Sequence, residues 1–225
     1  MVSRSASQMG ATCAFAGSVL LFIGTYLHPM GADPNQAIAA FAEYAADRLW
    51  VASHLTQLAG LALIVAALLL LGQQLRAGSA AAWAGIAAGA AIVGLAVAVA
   101  LQAVDGIALK FMVDAWAAAP AAQKEGIVHA AFAVRQIEIG LASMASLSLG
   151  LTATLYGVAL LVDRTHPTWL GGLAVIGGVP TMIAGVVIAY TGFSALAMAI
   201  NMPANALMRA ANSQAPGSAA RLAHA

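Results

Sequence analysis

Residues 55–71, 80–101 and 139–162 contain no Asp, Glu, Lys, Arg or His. A helix that long reaches, or nearly reaches, across a hydrocarbon layer of about 30 Å at about 1.5 Å of rise per residue. Two more apolar runs lie near the N-terminus and, interrupted by Pro180, toward the C-terminus. In lipid the backbone must satisfy its own hydrogen bonds, so such runs become helices. The sequence therefore predicts an all-α integral membrane protein, a bundle of five transmembrane helices with two interfacial helices in the long loops on one side.

Composition agrees with that class. Only 8% of the 225 residues are charged and 62% are hydrophobic, and mean hydropathy is +0.90, far from an ordinary soluble domain. The net charge of +1 gives no footprint for nucleic acid. The single cysteine, Cys13, allows no intramolecular disulfide and no multi-cysteine metal site. The first apolar run is too long for a signal peptide and lacks a convincing cleavage site, so it reads as an uncleaved span.

The expected spans cover residues 9–27, 50–71, 80–103, 127–162 and 168–190 within one domain, residues 1–201, followed by a short flexible tail, residues 202–225. Gly10, Gly17 and Gly24 recur every seven residues, with Gly31 continuing the phase just beyond the span, and this spacing keeps the glycines on one helix face for close packing. Gly85 and Gly89 form a G-x-x-x-G pair that also suggests tight packing. In the first long loop, Asp33, Pro34 and Gln36 suit a helix start, and Ile38, Phe41, Ala45 and Leu49 suit its apolar face. Trp50 suits the headgroup level at which the second span begins. In the second long loop, residues 105–126, an interfacial helix would bury Ile107, Ala108, Phe111, Met112, Ala115 and Trp116 and end near Pro120. Pro180 should kink the fifth span.

Alternate threading divides the polar residues unequally. On the far face, opposite the N-terminus, lie His28, His54, Gln57, Gln102, Asp105, Lys110, His129, Arg135, Glu138, Tyr190 and Asn201. The near face has Arg4, Arg76, Asp163, Arg164 and His166 in short loops or the tail. A working site therefore belongs at the far face. The candidate ligand-binding residues are His54, Gln57, Asp105, Arg135 and Glu138. His54 and Gln57 share a helix face, and so do Arg135 and Glu138, which can pair. Asp105 could join Arg135 or simply end its span in water. A histidine there can carry a proton or bind a ligand, or only donate to a nearby carbonyl.

No catalytic residues can be assigned, and no cofactor follows. The sequence has no H-x-x-x-H, H-E-x-x-H or paired-cysteine spacing, so no metal ligands are assigned. His129 and Glu138 fall on opposite sides of a straight helix. The favoured function is binding or passing a polar or ionic ligand at the far face. The alternatives are a membrane-embedded enzyme or redox protein using haem or metal, and an accessory subunit without chemistry. The expected partners are the lipid bilayer and a homo-oligomer or larger membrane complex. Lys and Arg are denser per loop residue on the near face, which places it in the cytoplasm and the far face outside. Compact loops suggest a bacterial-type inner membrane.

Overall fold

The computed structural model describes residues 4–75, 78–163 and 166–201. Arg76, Arg164 and the expected tail, residues 202–225, lie outside them. The order is α1 (Arg4–Leu27), α2 (Ala37–Ala46), α3 (Trp50–Gly72), α4 (Gly78–Gln102), a π-helical segment (Ala103–Leu109), α5 (Lys110–Ala118), α6 (Ala121–Asp163), α7 (Thr168–Thr191) and α8 (Ala195–Asn201). The described residues contain no strand. Five helices are long and apolar enough to cross a membrane: Ser5–Leu27, Trp50–Gly72, Gly78–Ala118, Ala121–Asp163 and Thr168–Thr191.

These helices pack mainly on their neighbours along the chain: α1 on α3, α3 on α4, α4 on α6 and α6 on α7. The glycine stripe explains the first pairing. A Cβ on Gly17 would lie 2.7 Å from the Gly60 carbonyl oxygen, and one on Gly24 would lie 2.7 Å from the Ser53 oxygen. The α6–α7 seam repeats the device with Gly150 against Gly178 and Gly157 against Gly171. The Ser143 hydroxyl ties this seam by donating to the Gly185 carbonyl at 2.9 Å. Gly85 and Gly89 depart from expectation, because a Cβ on either would meet no atom within 4 Å. The packed face of α4 is instead Ala80, Ala84, Ala87, Ala91, Gly94 and Ala98. Helix α7 runs through Pro180 without interruption.

Both long loops differ from their expected form. Asp33 closes a turn with Asn35 and Gln36 rather than capping a helix, and α2 begins only at Ala37. It buries Ala40, Phe41 and Tyr44, whereas Ile38 is 56% exposed and Leu49 lies beyond its end. The second loop does not exist as a separate connection, since the helix continues from Gly78 to Ala118. Its π-helical stretch changes the phase of every side chain beyond it. Leu109 and Val113 face inward, while Phe111 is 72% exposed. Ala40, Phe41, Tyr44, Trp50, Leu109, Val113 and Ala131 form one apolar cluster. This cluster roofs the far end of the bundle, where the polar side chains collect.

Candidate functional site

The first turn of α3 builds the centre of the site. Trp50 is 1% exposed and is packed in the core. Its indole nitrogen donates to the Asp105 carbonyl at 3.0 Å, joining α3 to the π-helical segment. One turn later, His54 is 2% exposed. Its Nδ1 lies 2.7 Å from the Trp50 carbonyl oxygen. A carbonyl only accepts, so Nδ1 carries a hydrogen there and Nε2 is the nitrogen left for chemistry. Nε2 faces the Asp105 carboxylate, Oδ2, at 3.0 Å.

Local chain geometry makes that approach possible. Asp105 sits inside the π-helical segment, whose wider turns are frequent at functional sites. The next residue is Gly106, and a Cβ there would lie 2.6 Å from the His54 Cβ. Only glycine lets the segment come so close without displacing the histidine. The other carboxylate oxygen of Asp105, Oδ1, is buried with no hydrogen-bond partner among the described residues.

His28 completes the group from the end of α1. Its Nδ1 lies 2.8 Å from the Pro29 carbonyl oxygen, which again fixes the hydrogen on that nitrogen. Its ring centroid is 4.9 Å from that of His54 and 4.8 Å from that of Trp50. Burial, then the neighbouring His54, holds His28 below the ordinary histidine value against the opposing pull of Asp105. One potential ligand atom from each of His28, His54 and Asp105 falls within 4.8 Å of the others.

A second polar group adjoins this one. Arg135 donates through its Nη1 to Glu138 within α6, with side chains only 6% and 3% exposed. The guanidinium lies 5.6 Å from the Tyr44 ring centroid and 5.0 Å from that of Phe193. Tyr44 also packs against Trp50, with tilted rings 4.3 Å apart between centroids, so aromatic rings link the two polar groups. Burial pushes the Tyr44 phenol up to about 12, leaving it neutral. Arg135 Nε, like Asp105 Oδ1, is buried without a partner among the described residues.

Of the candidate residues, His54 and Asp105 meet, Arg135 and Glu138 meet, and Gln57 accepts from the Gln102 amide at 3.3 Å. Asp105 pairs with His54 rather than Arg135. His129 is exposed and stands apart from the two converging histidines, and Tyr190 is 87% exposed. Lys110 reaches α2, donating to the carbonyls of Tyr44 and Ala45 and to Asp114. Sequence reasoning missed Tyr44, the buried role of Trp50 and the function of Glu43, which accepts from the Gly31 and Ala32 amides at 2.8 Å. The Asp105-Gly106 dipeptide held one available signal, since a glycine beside a carboxylate permits close approach of another element. Comparison with known protein families, with curated proteins and with solved structures finds no match to this chain.

Proposed function

We propose that the chain spans a membrane five times and binds or passes a polar or ionic ligand through the cluster at its far end. One observation carries the ligand reading. In a chain with 8% charged residues, ionisable side chains from α1's end, α3, the π-helical segment and α6 gather in one buried zone. Asp105 Oδ1, Gln102 Oε1 and Arg135 Nε are buried there without partners among the described residues. Buried polar atoms without partners cost about 1–3 kcal/mol each, and a bound ion or polar ligand would offset that cost. The membrane reading is supported by the outer surface of the spans, where Phe15, Phe22 and Ile176 are 75%, 72% and 70% exposed. Apolar surface so extensive suits lipid rather than water. The reading places the far end outside a bacterial-type inner membrane.

Two experiments test this. In a Cys13→Ala background, cysteines at Asn35 and Ala118 should react with an impermeant reagent from one side and a cysteine at Ser79 from the other. Labelling of all three from one side contradicts the five-span topology. For the ligand, purified protein should be screened by thermal unfolding against divalent cations, inorganic anions and small organic cations. At least one should raise Tm in the native chain and fail to do so in Asp105→Asn. If no solute acts, and Asp105→Asn only lowers the stability of the parent fold, the cluster does no more than hold helices together.

A further inference from the structure

The two histidines and the aspartate are arranged for one kind of ligand. We propose that His28, His54 and Asp105 bind a divalent transition-metal cation of the zinc class. This inference rests on the reading of the cluster as a ligand site and names the ligand.

Three features support it. Each histidine fixes its Nδ1 hydrogen on a main-chain carbonyl, His28 on Pro29 at 2.8 Å and His54 on Trp50 at 2.7 Å. Metal-bound histidines are oriented in this way, with the second nitrogen's lone pair presented to the ion. His54 Nε2 then meets Asp105 Oδ2 at 3.0 Å. With Nδ1 already protonated, a neutral ring and a carboxylate there present two lone pairs to each other. Only positive charge between them, a proton or a cation, makes the contact favourable. Finally, Asp105 Oδ1 is buried without a partner among the described residues, so the carboxylate retains acceptor capacity.

The donor set selects among cations. Calcium and magnesium favour shells made of oxygen, whereas two imidazole nitrogens and one carboxylate suit zinc and its first-row neighbours. Ligand atoms around tetrahedral zinc stand about 3.3 Å apart, given metal–ligand bonds of about 2.0–2.1 Å. The three atoms here lie within 4.8 Å of one another, and the His54–Asp105 contact is already 3.0 Å. Three protein ligands leave a fourth position open, as in sites that exchange ligands rather than structural sites with four protein ligands. The ligands come from three separate segments, which explains why no metal-binding spacing occurs in the sequence.

The test uses full-length protein with no polyhistidine tag, stripped with a chelator and kept in detergent or nanodiscs. Zinc should bind at one ion per chain, measured by elemental analysis after gel filtration and by calorimetry. Asp105→Asn preserves side-chain shape and can donate to His54 Nε2, so the fold should survive. It should weaken zinc binding more than about 100-fold, because loss of an outer-shell partner alone typically costs 10–100-fold. His28→Ala should weaken it similarly, while His129→Ala and His166→Ala leave it unchanged. Cobalt(II) should give a visible ligand-field band that His28→Ala abolishes. No stoichiometric zinc binding, or equal binding by Asp105→Asn, overturns the metal site. If zinc fails while another solute raises Tm in an Asp105-dependent way, the metal inference falls and the ligand reading stands. If nothing binds, both fall.

Discussion

Among the described residues, two histidine–aspartate contacts of the same length stand at opposite ends of the bundle. His166 Nδ1 lies 3.0 Å from Asp163 Oδ2 at the near end, and His54 Nε2 lies 3.0 Å from Asp105 Oδ2 at the far end. The near pair is local, three residues apart where α6 ends, and its histidine side chain is 28% exposed. The far pair joins residues 51 apart, and its histidine is 2% exposed. At the near end the histidine is partly open to water, while its aspartate side chain is 8% exposed. At the far end a packed aromatic roof and a glycine approach close over the histidine, and its aspartate side chain is 15% exposed. Equal distances therefore do not mean equal roles, because burial and sequence separation decide how much of the fold each contact depends on.

Breaking the far end should have the larger consequences. Arg135→Ala or Glu138→Ala leaves one buried charge without its partner, which costs about 3–5 kcal/mol. The double change should cost clearly less than the sum, as unfolding of the three variants in detergent would show. Simple additivity would mean that the two side chains act separately.

Gly106→Ala should come next. Its Cβ would lie 2.6 Å from the His54 Cβ, and overpacking of this kind costs about 1–3 kcal/mol. Gly126→Ala is the matching control. A Cβ there meets no atom within 4 Å, and relief of glycine's entropy in a helix stabilises by about 0.5–1 kcal/mol. The two changes should therefore move Tm in opposite directions. Equal effects would remove the case for a close approach at Gly106.

Trp50→Phe keeps an aromatic ring but deletes the indole donor to the Asp105 carbonyl, so a loss of about 1 kcal/mol is expected. At the near end, His166→Ala should change stability by no more than about 1 kcal/mol, as is usual for a pair partly open to water. If His166→Ala costs as much as Gly106→Ala, the contrast between the ends collapses.

Much of the architecture was legible because span length and lack of charge force helices. The glycine heptads of α1 also gave their packing face correctly. The clustering of polar residues at one end followed from alternate threading alone. What escaped depends on the path of the chain. The π-helical turns at Ala103–Leu109 change the phase of the residues that follow, so an apolar face drawn with α-helical spacing chose Phe111 instead of Leu109. The start of α2 was misplaced because Asp33 closes a turn, leaving the capping positions empty of a helix. Within the site, Arg135 with Glu138 was readable from spacing on one helix. The meeting of His28, His54 and Asp105 was not, because three segments supply one residue each and no periodicity links them.

Anomalous diffraction tests the central contrast most directly. Crystals of the full chain grown with zinc should show an anomalous peak at the zinc edge among His28, His54 and Asp105, with none at His166 and Asp163. A far-end histidine–aspartate contact with no peak, or a peak only at the near pair, would contradict the account.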